Sequence, residues 1–120
     1  MRILKLIFKA SSDEIDAIRK KYKLLNVNQI FQFKVNCLSH LIVNDSDKIP
    51  FYFKHMYKSK CNTSLRNKFH FIKPYYRTSI GQRSLDFIIG TSWNQLPENL
   101  KNITNRKAFK ITLKNYLLTQ

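Results

Sequence analysis

Cations that meet phosphates and aromatic rings that stack on bases are what single-stranded nucleic acid requires of a protein surface. This chain interleaves the two over one long stretch. From Lys48 through Leu85 there is no acidic residue, while Lys48, Lys54, Lys58, Lys60, Arg66, Lys68, Lys73, Arg77 and Arg83 all fall there. Tyr52, Phe53, Tyr57, Phe69, Phe71, Tyr75 and Tyr76 lie among them. Arg66, Arg77 and Arg83 are the strongest candidates for phosphate, because a guanidinium can fork bidentately where an ammonium cannot. Near the end of the chain Lys107, Lys110 and Lys114 flank a helical apolar stripe. The expected nucleic-acid contacts are therefore Lys58, Lys60, Arg66, Lys68, Lys73, Arg77, Arg83, Lys107, Lys110 and Lys114, and the expected partner is RNA or single-stranded DNA. The plainer alternative makes the aromatics core and the lysines a solvated face.

Other chemistries have weaker footing. Cys37, His40, His55, Cys61 and His70 could ligate a metal, but only Cys37 and His40 are close in sequence, and a structural zinc site wants two close pairs. No metal and no cofactor is assigned. Cys37 falls beside an apolar stripe, where a buried thiol is the ordinary outcome. Nucleotidyl transfer needs at least two acids converging on divalent metals. Asp45 and Asp47 are the only acidic pair in a loop, where turn formation accounts for them, and Asp86 and Glu98 stand alone. Gly81 and Gly90 are the only glycines, too few for a phosphate-cradling loop. No catalytic residue is assigned, and the chain by itself is not expected to be an enzyme.

These residues must be positioned by one small domain, since the chain has 120 residues and a mass of 14.4 kDa. A net charge of +15 favours anionic partners through counterion release. Two distant cysteines give no disulfide framework, and the apolar start, Met1 to Lys9, is too short for a membrane span. A nuclear or cytoplasmic location with no membrane partner is expected.

Helix signals dominate. Ser11 and Glu14 form a capping-box pattern ahead of Ile15, Ile18, Tyr22 and Leu25. Asn26 or Asn28 can cap a second helix carrying Phe31, Val35, Leu38 and Ile42. Asn44 to Asp47 reads as a turn, and Pro50 as the first position of a short helix to about Tyr57. Phe69 to Ile72 and Leu85 to Ile89 read as two strands of a loose hairpin. Leu96 to Leu100 is a helical turn. Thr104 or Asn105 caps a last helix with Phe109, Leu113, Tyr116 and Leu117 on one stripe, and Trp93 is a hydrophobic anchor. The fold class is thus mainly α, a small helical domain with a minor β-hairpin (α+β) near the C-terminal third. Residues 1–120 form a single region.

The last third also carries a family likeness. Arg77-Thr78, an apolar run from Leu85, Gly90, Trp93-Asn94-Gln95-Leu96-Pro97 and the helix from Phe109-Lys110 to Tyr116-Leu117 follow one another. That order resembles the C-terminal end of reverse transcriptases from non-LTR (LINE-type, jockey-like) retrotransposons. Earlier segments look similar in the same order: Arg2-Ile3-Leu4 with Phe8, Lys23 to Val27, Ile49 to Phe53, and Leu65-Arg66-Asn67. The family's Tyr-x-Asp-Asp turn is absent. Gly90-Thr91-Ser92-Trp93 lacks the proline usual before that tryptophan and is one residue shorter, and Gln95 replaces a serine. The resemblance implies a post-thumb fragment of an RNA-directed DNA polymerase, in a divergent or decayed copy. It would contact template RNA or target DNA, hold no polymerase site of its own, and have the upstream reverse transcriptase domains as partners. The alternatives are a free-standing small basic nucleic-acid-binding protein, or a helical interaction module docking through Phe109, Leu113 and Tyr116.

Overall fold

The computed structural model describes residues 11–53, 71 and 75–120. The described part is mainly helical: α1 (Ser12–Tyr22), α2 (Val27–Asn44), α3 (Leu85–Asn94), α4 (Glu98–Lys101) and α5 (Arg106–Leu118), with short 3-10 turns at Ser46–Lys48 and Gly81–Arg83.

Local chemistry sets most helix boundaries. Ser11 opens α1 as a capping box, its backbone N–H donating to Glu14 Oε2 at 2.9 Å. Asn26 opens α2 in the same way, its N–H donating to Gln29 Oε1 at 2.8 Å. Asn105 Oδ1 accepts from the N–H groups of Lys107 and Ala108 at 2.9 and 3.3 Å and starts α5. Pro97 is the N-cap of α4. Asn44 to Asp47 leaves α2 for the 3-10 turn, as expected. Residues 51–53 are helical immediately after Pro50, and the expected continuation to Tyr57 lies outside the described residues.

The hairpin is corrected. There is no strand among the described residues, and Leu85 to Ile89 is the first half of α3. A short apolar run suits a buried strand and a buried helix equally by pattern. Ser84, extended at the N-cap, and Asp86 in the first turn decide for helix. Of the other expected strand only Phe71 is described, and it is buried.

The core lies where α2 crosses α3 and α5. Val35 and Ile42 of α2, Ile89 and Trp93 of α3, and Phe109, Leu113 and Leu117 of α5 meet there, with Leu96 and Leu100 sealing one side. Trp93 and Phe109 are 0% exposed, with ring centroids 6.0 Å apart. Because two helices cover α2, its buried surface is wider than the expected stripe. Asn36, Ser39 and His40 are buried, while Phe31 is 53% exposed. The buried polar groups of α2 find partners: Ser92 Oγ donates to Asn36 Oδ1 at 3.0 Å, and Ser39 Oγ to the Val35 carbonyl at 2.9 Å. On α1, Ile15 is buried but Tyr22 stays exposed, so the expected stripe is covered only in part.

Candidate nucleic-acid interface

The expected cations divide into three groups. Lys58, Lys60, Arg66, Lys68 and Lys73 lie outside the described residues. Arg77 and Arg83 are exposed on the segment leading into α3. Lys107, Lys110 and Lys114 are exposed on α5.

That leading segment is held by a small cluster. Tyr76 donates its hydroxyl to Asp86 Oδ2 at 2.9 Å and sets its ring edge-on to Phe87. Burial pushes the Asp86 carboxyl up, but neighbouring Ser84, the Tyr76 hydroxyl and the Phe87 N–H together outweigh it and hold the group below its usual value. A Cβ on Gly81 would come within 2.7 Å of the Tyr76 ring, so glycine is required here by close approach and not by its φ. With Tyr76 anchored, its neighbour Tyr75 points outward, 87% exposed beside Arg77. An exposed aromatic and an exposed arginine two positions apart are the residue types that stacking on a base and contact with a phosphate call for. Phe71 and Trp93, by contrast, are inside the core.

The α5 cations gain two neighbours that the charge pattern along the chain did not single out. Arg106, Lys110 and Lys114 follow at four-residue intervals and share one flank of the helix. Lys34 is exposed on α2, the helix against which α5 packs. Lys34, Arg106 and Lys110 all act electrostatically on the Cys37 thiol of α2. Burial pushes the thiol up, and Lys110, Arg106 and Lys34 pull against it. None of the three cations has an acidic partner among the described residues, where Arg19 pairs with Asp16 and Lys48 with Asp45. Like charges four apart on a helix cost a few tenths of a kcal/mol each, roughly 0.2–0.5. An anion laid across the ridge would relieve that repulsion. Lys34 and Arg106 were legible only weakly, because they lie outside the long acid-free stretch.

The other candidate groups have structural partners. His40 Nε2 lies 2.7 Å from the Ile103 carbonyl, which can only accept, so the proton sits on Nε2. The ring stacks on Phe109 at 4.2 Å. Burial lowers its pKa, helped by Arg106 and opposed by the Ile103 carbonyl and Asp45. Among the described residues no three His, Cys, Asp or Glu side chains converge as a metal site would require. Asp45 sits 3.7 Å from Lys48 across its turn. Lys101, 4% exposed, donates Nζ to the Asn94 carbonyl at 3.1 Å and so satisfies the C-terminal end of α3. Its pKa is lowered by burial, with Glu98 opposing.

Each residue of Trp93-Asn94-Gln95-Leu96-Pro97 has a local role except Gln95. Trp93 and Leu96 fill the core, Asn94 clamps Phe71, Pro97 caps α4, and Gln95 is exposed. Phe109 and Leu113, two residues of the expected docking stripe, are buried in the chain's own core, with Tyr116 half-buried. No described helix is long and apolar enough to cross a membrane. Comparison with known protein families, curated proteins and solved structures returned no match.

Proposed function

We propose that this chain binds single-stranded nucleic acid as the basic, C-terminal post-thumb region of a non-LTR retrotransposon reverse transcriptase. In that role it grips template RNA or target DNA beside upstream polymerase domains, in the nucleus or cytoplasm, and supplies no polymerase site itself. One observation carries the binding: exposed Lys34 of α2 and exposed Arg106 and Lys110 of α5 all act on the one thiol of Cys37, and none has an acidic partner among the described residues. Exposed Tyr75 with Arg77 adds a second point of contact. The family reading rests on the order of Arg77-Thr78, Gly90, Trp93 to Pro97 and Phe109-Lys110.

A salt titration tests the binding. Affinity for a labelled single-stranded oligonucleotide should fall linearly on logarithmic axes, with a slope of about −0.7 per phosphate neutralised. An affinity unchanged between low and high salt rejects the proposal. Translation of the genomic DNA upstream of the Met1 codon tests the family. A reverse transcriptase palm, in frame or one frameshift away, supports it; unrelated coding sequence leaves a free-standing basic binding protein.

A further inference from the structure

One face of α2 is apolar and left in water. Val27, Ile30 and Phe31 are 60%, 46% and 53% exposed. With Lys34 they recur at helical spacing, so the four share a face. Lys34 is the only Lys, Arg, Asp or Glu in α2. The ring of Phe31 also forms one wall of an open groove of about 390 Å³, with Val35, Phe87 and Ile88 as other apolar walls. A flat ligand laid against the ring has open volume beside it.

Phe31 differs from the other exposed aromatics. Tyr22 already has the Lys21 ammonium 5.7 Å from its ring centroid, and Tyr52 meets Phe53 edge-on. Phe51 and Tyr75 stand outside the long helices. Phe31 is on α2, one turn before Lys34, and residues three apart on a helix have Cβ atoms about 5–6 Å apart. Lys34 is one of the three exposed cations that act on the Cys37 thiol, the other two coming from α5.

Charge and area together select what covers this face. The cations favour an anion, and with a net charge of +15 a second copy of the chain would be repelled. A stable protein partner needs roughly 800 Å² of surface on each side. Three part-exposed side chains fall short of that, since even a whole aromatic side chain buries only about 150–250 Å². A single base stacked on one ring needs far less, and it brings its own phosphate within reach of the lysine one turn away.

We propose that Phe31 stacks an unpaired base of the bound strand while Lys34 takes the adjoining phosphate, which makes Phe31 the residue that separates single strand from duplex. The proposal rests on the nucleic-acid-binding reading above and deepens it. Cations alone attract both forms. A duplex keeps its bases stacked on one another along its length and offers the ring no free face.

The test uses the full chain with a labelled mixed-sequence single strand and a duplex of the same length, each titrated at low and moderate salt. Phe31→Ala should weaken the single strand by roughly fivefold or more, the loss expected of one base–aromatic stack. It should leave the salt dependence and the duplex affinity unchanged. Phe31→Tyr keeps the ring and should bind the single strand as the wild type does. Salt-dependent wild-type binding with single-strand affinity unchanged in Phe31→Ala overturns the stacking site, leaves the binding function standing and opens the apolar face to a protein partner. Equal losses on single strand and duplex, or a loss in Phe31→Tyr as large as in Phe31→Ala, also overturn it. Absence of salt-dependent binding by the wild type removes both.

Discussion

Asn94 treats the backbone of Phe71 as a neighbouring strand would. Its Oδ1 accepts from the Phe71 N–H at 2.8 Å, and its Nδ2 donates to the Phe71 carbonyl at 2.9 Å. One side chain at the end of α3 thus satisfies both peptide groups of a buried residue that is 23 positions away. The Phe71 ring then meets Trp93 edge-on at 6.0 Å. Asn94→Ala should destabilise the fold by about 1–3 kcal/mol, since it strands two polar groups. Asn94→Asp keeps an acceptor but loses the donor, and should fall between the wild type and Asn94→Ala. Trp93, the sole tryptophan, reports both by its fluorescence during denaturant unfolding.

His40 should give stability a pH dependence. Its folded pKa is lowered from 6.5, chiefly by burial. As pH falls below about 6.5 the unfolded chain takes up a proton that folded His40 resists, so stability drops until the folded pKa is reached. Above about 6.5 both states are neutral at this site and it contributes no slope. The difference between wild type and His40→Leu, measured by urea unfolding across that range, isolates this residue from the other two histidines. An equal acid slope in the two proteins would remove the assignment.

Gly81 and Tyr76 are tied by contact. The Cβ of Gly81→Ala would press on Tyr76 Cβ and Cγ, both 2.8 Å away and close to the backbone. Tyr76 must then shift and loosen its hydrogen bond to Asp86. The expected cost is about 1–3 kcal/mol. Thermal unfolding of Gly81→Ala, set against Tyr76→Phe, checks this: Tyr76→Phe loses only the hydroxyl and should cost less, about 0.5–1.5 kcal/mol.

The cation ridge predicts binding effects without folding effects. Lys34→Ala, Arg106→Ala and Lys110→Ala should each weaken binding to every sequence. Removing one cation that neutralises a phosphate should make the salt dependence shallower by about 0.7. Thermal stability should stay within about 0.5 kcal/mol of the wild type, because all three side chains are exposed. Unchanged affinity in the triple variant would move the interface elsewhere on the surface.

Signals within a few residues of one another were legible without any structure. Ser11 with Glu14 marks the start of α1, Asn105 the start of α5, and the stripe of Phe109, Leu113 and Leu117 its buried face. A cap needs only neighbours three residues away, so its chemistry is complete in the local sequence. The net charge, and with it the preference for anions, is likewise a sum over residues that no fold alters.

What the sequence alone left undecided depends on contacts between distant segments. The apolar run Leu85 to Ile89 suits a strand or a helix by pattern, and its burial against α2 and α5 as a helix is a tertiary fact. Asn36, Ser39 and His40 become core residues only because Ser92, the Val35 carbonyl and the Ile103 carbonyl reach them, two of these from far along the chain. Phe71 becomes core through Asn94. Lys34, Arg106 and Lys110 act on one thiol because α2 and α5 pack together, bringing cations separated by more than 70 positions within electrostatic range of Cys37. The sequence by itself determined the charge, the helix starts and the aromatic inventory. Tertiary packing decided which polar groups are hidden and which cations stand together, because burial and electrostatic proximity are properties of space and not of chain order.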